Sequence, residues 1–368
     1  MMATRRPDVV RRRPGRMAQY LGGLLDSEPA VRQSFELGFA AMNACDWDVA
    51  IEHFRKAVVQ TKGAGAVALL NLIGVCHYTQ GHPADALTDF QQSARLAEQF
   101  DDQQGKSRAL GNIGLICQAS GDLDSALTHL DEALAIARET GDPWAEAIHL
   151  GYAGNVYHDR GELDRALECY REALVLSRDI GDQWGVATQL GNIGSVYHDK
   201  GEFDLARGHY EEALTIAREA GDRWCIASNL GNIGTVCRDQ GRLDDALRYD
   251  SDALAVAREI GHQHGVATDL GNIGLLLTAR SEHEQAVPKL AEALILLLAI
   301  GVVDGPRQTL TGLAGCEDKL GRKRLTELLT EAGWDEAVIG NLFDRIDQAR
   351  MRRPEPTPNL PVLVPTAN

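Results

Sequence analysis

Through most of the chain the apolar residues recur every three or four positions, which is the spacing of one face of an α-helix. Between Gly181 and Gly221 this pattern resolves into two helices. The first follows Asp182, a residue type that caps helix starts, and ends near Gly201, where glycine suits a left-handed stop. The second begins near Asp204. No strand alternation or hairpin turn interrupts these segments, so the sequence predicts an all-α fold.

The helix pair repeats along the chain with a period of forty residues and without insertion. Three columns keep this register: a glycine in the first helix, a leucine four positions before it, and an alanine in the second helix. A period shared by several columns is the signature of an array of one supersecondary unit. The columns are Gly74, Gly114, Gly154, Gly194, Gly234 and Gly274; Leu70, Leu110, Leu150, Leu190, Leu230, Leu270 and Leu310; and Ala86, Ala126, Ala166, Ala206, Ala246 and Ala286.

The first helix of each pair carries two stripes on opposite sides when residues are placed at helical intervals. In one repeat the apolar stripe consists of Leu190, Ile193, Gly194 and Tyr197. A glycine in mid-helix costs about 1 kcal/mol against alanine, so its recurrence indicates close backbone contact with a neighbouring helix. The opposite stripe is polar and consists of Thr188, Asn192, Ser195 and Asp199.

The motif Leu-Gly-Asn-Ile-Gly-x-Val-Tyr at 190–197, followed by Gly201, Ala206, Tyr210 and Ala213, resembles the tetratricopeptide repeat. Its forty-residue form is similar to the repeats of Pins-type proteins, kinesin light chains and bacterial regulators. The resemblance implies a right-handed α-solenoid of antiparallel helix pairs, with about seven full repeats and an eighth half-repeat over residues 29–322. We expect capping helices at 323–352, a flexible arginine-rich arm at 1–28 and a proline-rich disordered tail at 353–368.

The polar stripe is the predicted ligand site, because the resemblance implies that the first helices line the concave side of the solenoid. An asparagine amide donates and accepts at once, so a spaced row of amides suits the main chain of an extended peptide. The alternative is a row of polar residues tolerated on a wetted surface. The candidate residues are Asn112, Tyr152, Asn155, His158, Asp159, Asn192, Ser195, His198, Asp199, Asn232, Thr235, Arg238, Asp239 and Asn272.

The acidic row of this set favours a basic partner segment. An ordinary acidic surface is the alternative, since Arg160 and Lys200 adjoin two of the aspartates and the chain has a net charge of -16. The lysine-rich clamp by which some members of the family hold a terminal carboxylate is missing, and only Arg108 stands at a suitable place.

The first sixteen residues differ in charge from the rest of the chain. The acidic body argues against wrapping nucleic acid, but six arginines precede residue 17. Three roles stay open for this arm: contact with nucleic acid or an anionic membrane, occupation of the chain's own acidic groove, and no role at all. No stretch is long enough to span a bilayer, the start lacks a secretory signal, and the seven cysteines form no C-x-x-C pair. We therefore expect a cytoplasmic protein.

Motifs of catalysis and metal binding fail in detail. Residues 105–107 resemble the end of a phosphate loop, but Phe100 stands where the first glycine belongs. The His-Asp pairs at 158–159 and 198–199 belong to different helices one repeat apart, too far to share an ion. We predict no catalytic, cofactor-binding or metal-binding residues, and hence a non-enzymatic scaffold that binds a protein partner's peptide or helix. The alternatives are a bacterial regulatory sensor, which binds a signalling peptide and controls the arm, and an oligomer that assembles through the C-terminal end.

Overall fold

The computed structural model describes residues 29–301 and 305–351, and every regular element within these ranges is an α-helix. The helices are α1 (Pro29–Asn43), α2 (Trp47–Gln60), α3 (Ala64–Gln80), α4 (Pro83–Gln99), α5 (Gln103–Ala119), α6 (Leu123–Thr140), α7 (Pro143–Asp159), α8 (Leu163–Asp179), α9 (Gln183–Asp199), α10 (Phe203–Glu219), α11 (Arg223–Asp239), α12 (Leu243–Glu259), α13 (Gln263–Ala279), α14 (His283–Ala299), α15 (Gly305–Leu320), α16 (Arg322–Glu331) and α17 (Glu336–Met351). The arm at 1–28 and the tail at 353–368 lie outside the described residues.

The chain divides into two compact units, Met1–Ile216 and Ala217–Asn368. In the first unit the consecutive helices from α1 to α9 pack against each other, and in the second unit the helices from α11 to α17 do the same, so that successive helices form pairs. The first helices of successive pairs also touch each other, as α5 and α7 do in the first unit and α11 and α13 do in the second. These contacts confirm the predicted all-α solenoid.

Each helix pair begins and ends where the sequence predicts, for local reasons. The Oδ1 of Asp182 accepts a hydrogen bond of 3.0 Å from the backbone N–H of Gly185, which satisfies one free donor at the start of α9. After α9 the chain turns at Gly201, whose φ of 75° is left-handed and costs glycine little. Ser281 takes the same turn with a φ of 64°, at the position where the preceding repeat has Gly241.

The core of a pair forms where the mid-helix glycine meets the second helix. A Cβ added at Gly194 would lie 2.8 Å from Cε1 of Tyr210, and one added at Gly154 would lie 2.6 Å from Cε1 of Tyr170. Both tyrosines are buried. The recurring glycine is therefore required because an aromatic ring rests directly on the helix backbone.

Charged side chains link successive repeats on the second helices. In the first unit Arg138 lies 2.6 Å from Glu172, and in the second Arg258 lies 2.7 Å from Glu292, so the same columns meet across a spacing of 34 residues. These side chains are about half exposed, so each pair contributes no more than about 1 kcal/mol. They therefore add little to stability, although the same two columns meet in both units.

At the C-terminal end of the second unit the core widens. Leu294 and Leu297 of α14 are buried, whereas Ile295 and Leu298 on its other side remain nearly half exposed. Buried residues of α16 and α17 join the same apolar cluster: Leu325, Leu328, Leu329, Ile339, Leu342, Phe343 and Ile346. We propose on this packing that 323–352 serves as a cap, of which residue 352 lies outside the described part.

Candidate peptide-binding site

The asparagine row lies on the first helices and is neither exposed nor sealed. Asn112 and Asn192 are half-buried in the first unit, as are Asn232 and Asn272 in the second. The Nδ2 of Asn112 lies 3.4 Å from Oδ1 of Asn71, and the Nδ2 of Asn192 lies 3.4 Å from Oε1 of Gln189. Hydrogen bonds of this length are weak. These amides therefore keep donors and acceptors that a ligand can use.

Tyr152 stands in the asparagine row at the repeat between Asn112 and Asn192. It is half-buried and packs against the apolar cluster that contains Leu130 and Val156. The row thus combines amides with one aromatic face.

In the second predicted row Asn155 lies in the interior, which corrects the prediction for that residue, whereas Ser195 and Thr235 are half-buried. Asn155 is buried, and its Oδ1 accepts a hydrogen bond of 2.8 Å from the hydroxyl of Tyr170 on the second helix of the same repeat. Ser195 takes the same place in the next repeat, where its Oγ accepts from the hydroxyl of Tyr210 at 3.0 Å. Burial raises the pKa of Tyr210 to about 12, so this hydroxyl stays a donor. Asn155 is therefore part of the interior, because the tyrosine needs a partner for its hydroxyl.

Thr235, the third member of that row, bonds its own helix: its Oγ1 donates to the carbonyl of Gly231 at 3.1 Å. No tyrosine faces it, because residue 250 is an aspartate.

The acidic row is engaged by the repeat that precedes it. Nε2 of Gln118 donates to Oδ2 of Asp159 at 2.6 Å, and Nε2 of His158 lies 2.6 Å from Oδ2 of Asp199. Each link joins residues 41 positions apart on neighbouring first helices. The expectation that the two His-Asp pairs lie too far apart to approach each other was therefore wrong, because His158 and Asp199 are in direct contact. The two aspartates therefore link neighbouring repeats, and one oxygen of each already has a hydrogen-bonding partner within the fold.

The other charged candidates are also paired. His198 lies 3.5 Å from Asp199 and its ring faces Phe203. In the second unit Nε of Arg238 lies 3.2 Å from Oδ1 of Asp239. A basic partner therefore stays a prediction of the sequence, drawn from an acidic row whose members already have partners within the fold.

A column of buried polar residues was missed from the sequence. It occupies the position just before the repeated leucine and consists of His149, Gln189, Asn229, Asp269 and Thr309. His149 is 3% exposed, its Nε2 lies 2.9 Å from Oγ of Ser107, and burial lowers its pKa to about 4. A Cβ at Gly111 would lie 2.4 Å from Cε1 of His149. The glycine of the Leu-Gly-Asn motif thus makes room for the polar residue of the following repeat.

Arg108 was the one cation that the sequence placed suitably for binding a terminal carboxylate. Its Nη2 lies 3.6 Å from Oδ2 of Asp142. Within the described ranges no group of three or more histidine, cysteine, aspartate or glutamate side chains is arranged to hold a metal ion. None of the described helices has the length and apolar character needed to cross a membrane.

Comparison with known proteins agrees with this fold. The family model for the MalT-like TPR region matches residues 100–293, and a tetratricopeptide repeat model matches residues 35–100. No curated protein matches the sequence.

Solved structures share the fold at low sequence identity. A Rap protein complexed with competence and sporulation factor is 13% identical with a TM-score of 0.64, over 91% of this chain and 92% of that one. The apo quorum sensor NprR from B. thuringiensis is 17% identical with a TM-score of 0.59, over 87% and 93%. A signal transduction ATPase with a tetratricopeptide repeat sensor, from Pyrococcus horikoshii, is 14% identical with a TM-score of 0.62, over 90% of this chain and 54% of that one.

Proposed function

We propose that this chain, which belongs to the tetratricopeptide repeat family, is a non-enzymatic scaffold that binds a peptide or helix of a protein partner along its first helices. Members of this family are in general interaction modules rather than catalysts. The observation that carries the proposal is the half-buried row of amides at Asn112, Asn192, Asn232 and Asn272. These amides recur at intervals of forty residues, except that Tyr152 takes the place between Asn112 and Asn192, and they make only weak hydrogen bonds where partners exist within the fold.

The amide row supplies the donors and acceptors that an extended peptide needs. A hydrogen bond contributes about 0.5–1.5 kcal/mol net, so two asparagines account for about 1–3 kcal/mol of binding. That corresponds to roughly a fivefold to hundredfold change in the dissociation constant. Selectivity among peptides must come from other groups, and Tyr152 offers an aromatic contact in the first unit.

The test begins with selection of ligands from a displayed library of random peptides on the full chain. Binding of an enriched peptide is then measured by fluorescence anisotropy for two double variants, Asn112→Ala with Asn192→Ala and Asn232→Ala with Asn272→Ala. We expect at least one of them to weaken binding about tenfold while the thermal midpoint stays nearly unchanged.

A matched control removes exposed hydroxyls from second helices. Thr128→Ala, Thr215→Ala and Ser251→Ala delete side chains that bond only their own backbone, and these variants should bind as the native chain does. Retention of affinity by both asparagine variants would show that the amide row is not the binding site.

A second candidate is a peptide-responsive regulator, in which a bound peptide controls the arginine-rich arm. It is supported by the shared fold with a Rap protein that was solved with competence and sporulation factor. A regulator of this kind predicts that the selected peptide changes a property of the arm, such as its cleavage by trypsin. A scaffold predicts no such change. Self-assembly through the C-terminal end would appear as a concentration-dependent mass in sedimentation.

A further inference from the structure

One second helix carries a carboxylate where the others carry an apolar or aromatic residue. At this position, against the mid-helix glycine, the other described repeats have Phe54, Phe90, Leu130, Tyr170, Tyr210 and Leu290. Asp250 takes the place in the second unit and is 2% exposed. Its Oδ1 is buried and has no hydrogen-bond partner in the described part of the chain. A carboxyl in this setting is strongly biased toward its neutral form.

A second carboxyl approaches the same place from the next helix pair. Asp269 of α13 is 6% exposed. A Cβ built at Gly234 would lie 2.3 Å from Oδ1 of Asp250, and one built at Gly231 would lie 3.5 Å from Oδ1 of Asp269. Gly231 and Gly234 are neighbours on one face of α11, because residues three apart in a helix lie one above the other. The two carboxyls, from α12 and α13, therefore lie over adjacent positions on the glycine face of α11.

The charges around the pair do not neutralise it. Arg238 of α11 is the cation that acts on Asp250, and its Nε is already bonded to Asp239. Burial raises the pKa of Asp250 to about 7 against this cation. Burial, and then the charge of Asp250, raise the pKa of Asp269 to about 8. The charged groups that act on the pair, Arg238 and Asp250 itself, lie on α11 and α12.

We propose that Asp250 and Asp269 form a proton-dependent latch that holds α11, α12 and α13 together. When protonated, the two carboxyls stay buried over Gly231 and Gly234. When ionised, they repel each other and need water, so the packing of the three helices loosens.

The sign of the pH dependence follows from proton linkage. A carboxyl whose pKa is raised in the closed packing binds more protons there than in the open state, where its pKa is ordinary. The closed packing is therefore most stable at low pH and loses stability as the pH rises from about 4 to about 8. A carboxylate that is paired with a cation gives the opposite pH dependence, because it stabilises the packing at high pH and loses that effect as the pH falls.

The test is hydrogen–deuterium exchange of the full chain, read by mass spectrometry at about pH 6 and about pH 8.5 and corrected for the intrinsic exchange rate. The opening constant of amides in α11–α13 should rise at least about tenfold between these conditions. Amides of α7 and α8, where Tyr170 fills the corresponding place, serve as the internal reference and should change much less.

Two variants separate the latch from a general effect of pH. The double change Asp250→Asn with Asp269→Asn should remove the pH response in α11–α13. Asp250→Tyr introduces the residue type that the preceding repeat has at this position, and it should reduce the pH response. This variant replaces the double variant in the test if the double variant does not fold. Asp252→Asn, an exposed change on the same helix, should keep the native response. An equal response in α7–α8 and α11–α13, or a response that survives in the folded variants, would overturn the latch.

Discussion

Substitution of Gly194 by alanine tests the packing that defines each repeat. A Cβ at this place would lie 2.8, 2.9 and 3.1 Å from three ring atoms of Tyr210. The ring cannot easily yield, because Tyr210 is 3% exposed and its hydroxyl is bonded to Ser195. The added methyl group must therefore push the two helices apart or displace the ring.

Two opposing effects set the magnitude of the change. Alanine in place of glycine favours an isolated helix by about 1 kcal/mol. Overpacking of a well-filled core costs about 1–3 kcal/mol, and a lengthened Tyr210–Ser195 hydrogen bond adds about 1 kcal/mol. We expect a net loss of about 1–3 kcal/mol in the free energy of unfolding.

Gly208 provides the matched control on the partner helix α10, since a Cβ there would meet no atom within 4 Å. Gly208→Ala should stabilise the chain by about 0.5–1 kcal/mol through helix propensity alone. Urea denaturation followed by circular dichroism gives both values, with amide exchange in α9 as a local readout. Equal stabilisation by the two substitutions would refute the claim that the column glycine is kept for contact with Tyr210.

Three further predictions concern single groups. As the pH falls from about 6.5 to about 4, the unfolded chain takes up a proton at His149, whereas the folded chain keeps the buried ring neutral because its pKa is lowered to about 4. The folded chain therefore loses stability over this range, and His149→Gln should lessen that loss. Urea midpoints at about pH 7 and about pH 5 measure the difference. Tyr170→Phe should cost about 1–3 kcal/mol, since it leaves the buried Oδ1 of Asn155 unpaired. Tyr210→Phe should cost less, because its partner Ser195 is only half-buried, and equal losses in urea denaturation would contradict this account. Deletion of residues 1–28 should abolish any gel shift of DNA by the full chain, and a shift retained without the arm would place nucleic-acid binding on the acidic body.

The repeat itself could be predicted from the sequence because its signals are local. Periodic apolar positions, aspartate at helix starts and glycine at the turns all act within a few residues, and α9 begins and ends where they predict. The glycine that recurs at the position of Gly194 also predicted a close contact between helices. It did not predict that the contacting group is an aromatic ring.

The site was harder to predict because its contacts join different repeats. A helical wheel shows which residues share a face, but not that His158 meets Asp199 rather than Asp159, since that pairing depends on how two first helices stack. Asn155 was assigned to the binding face for the same reason: its partner Tyr170 lies on another helix. The signal was present as a polar residue fifteen positions before a tyrosine, in two successive repeats.

The link between Arg138 and Glu172 bears on how such a chain can change in length. Because the same two columns recur forty residues later as Arg178 and Glu212, loss of one whole period from the gene would leave Arg138 facing a glutamate again. Unequal crossing-over between copies would then yield a shorter protein whose new junction already has matched partners. Gains and losses of entire repeats should therefore be tolerated more readily than the removal of a few residues within one.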